Sequence, residues 1–290
     1  MPRLLAYLGL AGVAVAASAW VLTAPAPLAD DALAGLSGNA EAGATIFAAT
    51  GCASCHTREG AETLGGGASF VTDFGTFYAP NISPDAAHGI GGWTALDFAN
   101  AVQRGVSPGG QHYYPAFPYT SYALMTAQDV SDLWAYMQTL APDATPSKPH
   151  DVGFPFNIRR SLGGWKMLYA DAGYHVGPSD DPVLARGRYL VEAMAHCAEC
   201  HTPRDSLGGL DRAAWMSGAP NPSGRGEIPA LTPDKLDWSA VDIAYYLETG
   251  FTPEFDSAGG SMAKVVSNTA KLSAEDRAAI AAYIKALPAP

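Results

Sequence analysis

Two short segments, far apart in the chain, hold all four cysteines of this 290-residue sequence. "CASCH" begins at Cys52 and "CAECH" begins at Cys197, so each segment has two cysteines separated by two residues and followed directly by a histidine. Thiols and imidazoles can bind a metal ion, form a disulfide or attach a prosthetic group. The spacing and the following histidine decide among these chemistries.

The pattern C-x-x-C-H is the attachment motif of c-type haem. Two thiols about one helical turn apart add to the two vinyl groups of one haem, and the adjacent histidine supplies the proximal ligand of the iron. The sequence therefore predicts two covalently bound haem c groups, held by Cys52, Cys55 and His56 and by Cys197, Cys200 and His201. A redox dithiol, or one zinc site built from both pairs, is the alternative.

An internal repeat accompanies the two motifs. "GWTALDFANAVQRGVSP" begins at Gly92 and matches "DWSAVDIAYYLETGFTP", which begins at Asp237, at the same offset as the motifs (197 − 52 = 145). "MTAQDVSDLWAYMQTL" and "LSAEDRAAIAAYIKAL" match near the end of each half at a slightly larger offset (272 − 125 = 147). The repeat predicts two copies of one domain, at 39–141 and 182–290, joined by a linker at 142–181.

The pattern within each copy is helical, and we predict an all-α fold. Thr94 and Ser239 are good N-caps, with Asp97 and Asp242 at the third helical position, where a carboxylate stabilises the start of a helix. Between the helices the chain is rich in Gly and Pro, and no useful strand alternation is present. The linker has several prolines but also many apolar residues, so we expect it to pack across both domains or on a partner.

Residues 1–29 form an apolar leader that we expect to lie outside the two domains. The uncharged run from Leu4 to Leu22 is long enough to cross a bilayer as a helix. It also fits a secretory signal, with a small-residue cleavage site at Ala17–Ala19. Both alternatives, membrane anchor or signal peptide, place the rest of the chain on the periplasmic side of a bacterial inner membrane, anchored or soluble.

The charge balance excludes one class of partner. The chain has 28 acidic and 17 basic residues and a formal net charge of −11, so it is poorly suited to bind nucleic acid. An acidic surface favours a basic protein partner or simply keeps the protein soluble.

Each half resembles a class I cytochrome c domain, with a helix, C-x-x-C-H, a Pro-containing loop, a helix, a Met-bearing loop and a last helix. Three segments are similar to the membrane-bound multihaem cytochrome c subunits of periplasmic alcohol, sorbitol, fructose and gluconate dehydrogenases. They are "APNISPD" from Ala79, "GVSPGGQHYYPAFPYTSYALMTAQDV" from Gly105 and "FPFNIRRSLGGWKMLY" from Phe154. Many of those subunits carry three haem domains, whereas this chain has two motifs.

The resemblance implies a distal ligand for each iron, because such haems take a Met or His on the second side. "DSAGGSMAKVV" places Met262 in a Gly-rich loop before the last helix, where these cytochromes carry the axial Met. In the first domain the related subunits indicate Met125, with His112 as the rival ligand and otherwise a solvated loop residue. The iron ligands expected are therefore His56, Met125, His201 and Met262.

Further residues are expected to surround the haems. The carbonyls of Pro80 and Pro229 are placed to accept the N–H of the two proximal imidazoles. Trp93 and Trp238 either donate to haem propionates or pack in the core. Tyr136 and Tyr283 are expected only to pack against the first helix of each domain.

Two six-coordinate haems leave no open iron for a substrate, so we expect an electron-transfer protein and not an enzyme. Its expected partners are redox proteins: a dehydrogenase catalytic subunit or the quinol pool as donor, and an oxidase or soluble cytochrome as acceptor. Two alternatives stay open. One is a stand-alone membrane-anchored shuttle, and the other is a dihaem peroxidase or thiosulfate-oxidising enzyme, which needs an iron that is open or ligated by His or Cys.

Overall fold

The computed structural model describes residues 2–170, 173–222, 224 and 226–288, and it is mostly helical. The few remaining positions of the predicted linker and second domain lie outside the described residues. Helix α1 (Pro2–Leu22) corresponds to the apolar leader. Within the ranges given, no helix is long and apolar enough to cross a bilayer, so the membrane-anchor prediction is not supported.

The backbone of the segment after α1 is hydrogen-bonded to side chains of the first domain. The Leu28 amide donates to Asn100 Oδ1 at 2.7 Å, and Arg104 Nε donates to the carbonyl of Ala26 at 3.0 Å. His112 Nε2 lies 2.9 Å from the carbonyl oxygen of Thr23. Residues 23–28 are therefore part of the folded first domain.

The first domain contains five helices and a hairpin. The helices are α2 (Ala40–Thr50), α3 (Cys52–His56), α4 (Ala95–Arg104), α5 (Tyr119–Tyr122) and α6 (Ala127–Met137). Strand β1 (Ser69–Thr72) pairs antiparallel with β2 (Gly75–Tyr78), with Phe70 opposite Phe77. The purely helical prediction missed this hairpin, because its four-residue strands carry no clean alternation.

The linker packs across both domains, as predicted. A single turn (Arg159–Ser161) precedes helix α7 (Leu162–Tyr169). Lys166 Nζ donates to the carbonyls of Arg104 and Gly105 in the first domain, at 2.6 and 2.8 Å. Trp165 Nε1 donates to the carbonyl of Leu207 in the second domain at 3.0 Å, so α7 connects the two.

The second domain repeats the helical plan of the first. It contains α8 (Pro182–Arg188), a π-helical turn (Tyr189–Met194), α9 (Ala198–His201), α10 (Ala240–Thr249), α11 (Gly260–Thr269) and α12 (Ala274–Lys285). A two-residue ladder joins β3 (Ala219–Pro220) to β4 (Glu227–Ile228). One continuous cluster of buried apolar side chains extends through both domains.

The predicted helix starts are confirmed. Thr94 Oγ1 accepts from the Asp97 amide, and the Asp97 side chain accepts from the Thr94 amide, which makes a full capping box. Ser239 and Asp242 form the same box at α10. These caps fix where α4 and α10 begin and hence where the loops that follow each haem motif end.

In each domain the first helix crosses the last helix at a glycine. A Cβ atom on Gly43 of α2 would lie 2.0 Å from the carbonyl oxygen of Asp132 in α6. A Cβ atom on Gly187 of α8 would lie 2.0 Å from the carbonyl oxygen of Ala279 in α12. The two helix backbones therefore touch, and this contact sets the position of the haem motif that follows each first helix.

Candidate functional site

The first haem motif is a helical turn that follows α2 without a loop. Gly51 adopts φ +65°, a left-handed conformation that ends α2 and starts α3 at Cys52. The proximal imidazole is held from its far side, because His56 Nδ1 lies 2.7 Å from the carbonyl oxygen of Pro80. This leaves Nε2 of His56 as the free ring nitrogen.

The second motif has the same geometry. His201 Nδ1 lies 2.7 Å from the carbonyl oxygen of Pro229, and the Gly218 amide donates to the His201 carbonyl at 2.8 Å. Burial lowers the pKa of both His56 and His201, against the opposing effect of the proline carbonyls. Both rings are therefore neutral at pH 7, the form in which imidazole binds a metal.

None of the four cysteines is in a disulfide, so each pair is available for attachment to a haem. Burial raises the pKa of Cys52 to about 11 and that of Cys197 to about 12, so these thiols are protonated at neutral pH before attachment. Among the residues described, no group of three or more His, Cys, Asp or Glu side chains is arranged to hold a metal ion.

The two methionines expected as distal ligands occupy different settings. Met125 is buried at 4% exposure just after α5, and its carbonyl accepts from Gln103 Nε2 at 2.8 Å. Met262 is partly buried and packs on the core cluster. It lies in the first turn of α11 and not in a loop, which corrects the prediction. Met137 of α6 is buried in the core at 1% exposure.

The two tryptophans of the repeat pack at the edge of the core. Trp93 and Trp238 are both partly buried against the core cluster, and the ring of Trp238 lies 5.2 Å from that of Tyr246. Their assignment as donors to haem propionates remains a prediction.

His112 is not a solvated loop residue, contrary to the expectation. It is buried at 3% exposure, and its Nε2 contacts the carbonyl of Thr23. The sequence signal was misleading because "GGQHYY" is polar and Gly-rich, whereas the segment that covers His112 comes from residues 23–28, far away in the chain.

Tyr283 does more than pack. Its hydroxyl donates to the buried carboxylate of Glu192, which also accepts the His175 and Val176 amides. In the first domain the equivalent tyrosine, Tyr136, instead packs on the ring of Phe47 at 5.2 Å. The repeat alignment pairs Tyr136 with Tyr283. It does not reveal that Glu192 of the second domain replaces Phe47 of the first.

The domains meet at their haem motifs, a feature that sequence reasoning missed. Asn268 Nδ2 of α11 donates to Ser54 Oγ, inside the first motif, at 2.7 Å. Thr120 Oγ1 donates to Glu199 Oε1, inside the second motif, at 3.3 Å. Burial is the largest cause that raises the pKa of Cys55, and two residues of the second domain, Lys264 and Cys200, also act on it electrostatically.

These donor sets fit haem c. Each domain offers two unpaired thiols on one helical turn, and a neutral imidazole with one nitrogen fixed by a carbonyl and the other free. A buried or half-buried methionine lies in the same apolar core. When bound, such a haem cycles between ferrous and ferric iron, and the chain supplies its attachment, its orientation and its apolar surroundings.

Comparison with known proteins agrees with this geometry. The cytochrome c family model matches residues 40–141 and 184–288, one match for each domain. The chain belongs to the cytochrome c family. Its two domains are cytochrome c domains, and the zinc and dithiol alternatives are set aside.

Three relatives indicate which kind of cytochrome c this chain resembles. The chain is 54% identical to a dihaem cytochrome c-type protein of Cereibacter sphaeroides, over 99% of this chain and 98% of that protein. It is 36% identical to the cytochrome c subunit of gluconate 2-dehydrogenase of Pantoea cypripedii, over 82% of this chain and 57% of that one. It is 37% identical to the cytochrome subunit of fructose dehydrogenase of Gluconobacter japonicus, over 83% and 51%.

The chain therefore spans about half the length of those two dehydrogenase subunits and nearly all of the dihaem relative. It carries two covalently bound haem c groups. Its role is electron transfer, which is the chemistry that two such groups provide.

Proposed function

We propose that this cytochrome passes electrons from haem to haem, receiving them from a dehydrogenase catalytic subunit or from quinol and delivering them to an oxidase or a soluble cytochrome. The observation that supports this best is that each haem motif is hydrogen-bonded to the other domain at the domain interface. Cofactors attached at neighbouring sites can exchange electrons within one molecule.

In this proposal the iron ligands are His56 and Met125 in the first domain and His201 and Met262 in the second. The carbonyls of Pro80 and Pro229 orient the proximal rings and strengthen them as ligands. Methionine as the second ligand raises the reduction potential, which suits haems on the way to a respiratory acceptor.

Replacing each methionine tests the ligand assignment. Met125→Ala should abolish the near-infrared sulfur-to-iron band of one haem and lower its potential, and Met262→Ala should do the same for the other haem. Near-infrared spectra of the oxidised protein and a potentiometric titration measure both effects. Met137→Leu and Met216→Leu, which alter two buried core methionines, are the controls and should leave both bands in place. Survival of both bands in Met125→Ala would exclude Met125 as a ligand.

The partner is best sought among dehydrogenase subunits, because two of the relatives above are cytochrome subunits of such enzymes. A second candidate, the stand-alone shuttle, is favoured by the near full-length match to a dihaem protein of the same size. Affinity purification of the tagged protein from its native cells separates them. Co-purification of a dehydrogenase catalytic subunit supports the first, and its absence under conditions that retain other complexes supports the second.

We also propose that the protein works in the periplasm. The support is the apolar leader, which resembles an export signal. Fractionation of cells expressing the tagged chain, followed by detection of haem covalently bound to it, tests this location.

A further inference from the structure

The two haem motifs are joined at one buried junction. Thr50 ends α2 two residues before Cys52, and its carbonyl accepts the hydroxyl of Tyr122 at 2.9 Å. His196 precedes Cys197 directly, and its ring packs edge-on against the ring of Tyr122, with 5.5 Å between centroids and 74° between planes. Tyr122 thus contacts the residues that lead into both motifs.

His196 also bonds to the first domain directly. Burial lowers the pKa of its imidazole, and a hydrogen bond with the backbone of Thr50 is one of the effects that oppose this shift, so the ring is the donor and the carbonyl the acceptor. The side chain next to Cys197 therefore touches the peptide that leads to Cys52.

The backbone of His196 is adapted to this contact. Its φ is +43°, in the left-handed region that non-glycine residues rarely adopt. Such conformations persist only where surrounding contacts hold them, and they concentrate at functional positions. Here the Glu199 amide donates to the His196 carbonyl at 2.9 Å, which fixes the turn into α9.

We propose that the contact between His196 and the Thr50 carbonyl, braced by Tyr122, couples the two haems for electron transfer. The inference rests on the proposed haem-to-haem function. One electron leaves a ferrous iron, which becomes ferric, and reduces a ferric iron on the other side. No bond forms or breaks, and His196 keeps its protons.

We expect this contact to carry the coupling because it makes a continuous path of bonds between the two haem motifs. Electronic coupling falls less steeply through covalent and hydrogen bonds than across a gap. From Cys197 the path runs through His196 and one hydrogen bond to Thr50, and then through the peptide to Cys52. The competing route crosses directly between Cys55 and Cys200, which interact electrostatically and for which no hydrogen bond is described.

The test uses the haem-loaded protein with His196→Ala and His196→Asn. Asparagine tolerates a positive φ and keeps an N–H donor, so it is the conservative variant. Rapid photoreduction of one haem followed by optical detection measures the rate between haems. Potentiometry gives both midpoint potentials, and pulsed electron paramagnetic resonance gives the magnetic interaction between the two ferric irons. His88→Ala, at an exposed loop histidine, is the matched control.

We expect His196→Ala to slow transfer between the haems severalfold, with both potentials and the magnetic interaction unchanged. His196→Asn should recover much of the rate, and His88→Ala should match the unaltered protein. An unchanged rate in His196→Ala would overturn the proposal in favour of the direct route. A magnetic interaction that changes together with the rate would also overturn it, because His196 would then only hold the domains in place. If the unaltered protein shows no transfer between its haems at all, the proposed function itself fails.

Discussion

At the scale of single residues, buried polar groups mark the differences between the two domains. Glu192 is buried at 3% exposure in the second domain, where the repeat places Phe47 in the first. Its carboxylate is stabilised by the Tyr283 hydroxyl and two backbone amides. Because the amides belong to His175 and Val176, this carboxylate also anchors the end of the linker.

Removal of one hydroxyl tests this arrangement. Tyr283→Phe should lower the free energy of unfolding by about 1–3 kcal/mol, because the buried carboxylate loses a donor. Tyr136→Phe, in the equivalent position of the first domain, should cost less, since Tyr136 packs beside Phe47 and not beside a carboxylate. Equal losses in urea-induced unfolding of the two variants would contradict this account.

Lys166 gives stability a pH dependence. Burial and the nearby charge of Arg104 lower its pKa from the ordinary 10.5 to about 8, although two carbonyls accept hydrogen bonds from the ammonium group. Between pH 8 and pH 10.5 the unfolded chain therefore binds more protons at this position than the folded chain. The contribution of Lys166 to stability rises with pH through that window and is lost as the pH falls through 8.

The expected result is a difference between variants. Unfolding by urea at a series of pH values should show the free energy of Lys166→Met falling relative to the unaltered protein as the pH rises from 8 to 10. Lys271→Met, at an exposed lysine, is the matched control. If the free energies of unfolding of Lys166→Met and the unaltered protein differ by the same amount at every pH in this window, the pKa of Lys166 is not lowered in the folded protein.

At the scale of elements, the decisive contact is the glycine crossing of the first and last helices. Gly43 and Gly187 allow backbone contact, and each lies in the first helix of its domain, upstream of the haem motif. A side chain at either position must push two helices apart, which shifts the motif relative to its domain. The crossing therefore contributes to haem geometry although it lies outside the attachment motif itself.

Gly43→Ala should destabilise the first domain by about 1–3 kcal/mol or more, the usual cost of overpacking. Gly164→Ala is the matched control, because Gly164 lies inside helix α7 and its Cβ would have open space. Alanine there should be neutral or stabilise the helix by up to about 1 kcal/mol. Thermal unfolding of the two variants measures both effects. A Gly43→Ala protein as stable as the unaltered one would refute the close crossing.

The elements also show what the sequence can predict. The caps at Thr94 and Ser239 and the left-handed Gly51 follow from local hydrogen bonds and backbone preferences, so their pattern is readable along the chain. The hairpin at β1 and β2, the helical setting of Met262 and the burial of His112 were not predicted. The burial of His112 depends on Thr23, which meets it only in the folded protein. The strands of the hairpin are too short for a clean alternation, and the two glycines before Met262 hide the start of α11.

At the scale of the whole molecule, the interface between domains is built on the haem motifs. Ser54 lies in the first motif, and Asn268 of α11 donates to it from the second domain. Lys264 Nζ of the same helix contacts the Ser54 carbonyl at 3.4 Å. Helix α11 also carries Met262, the expected distal ligand of the second haem. The helix therefore connects the first haem motif with the ligand side of the second haem.

A double-mutant cycle measures this link. Asn268→Ala and Ser54→Ala, singly and together, should show a coupling of about 0.5–3 kcal/mol in the free energy of unfolding, because the two side chains bond directly. Asn268→Ala combined with Ser206→Ala, at an exposed serine, should be additive. A coupling of zero between Asn268 and Ser54 would mean that the domains do not depend on this bond.

The contacts between each haem motif and the other domain have a consequence for biogenesis. Ser54 of the first motif bonds to Asn268, and Glu199 of the second motif bonds to Thr120. An enzyme that ligates porphyrin to the thiols competes with these contacts for the same two segments. We therefore expect ligation to come before the two domains dock, and docking to be the last step of maturation.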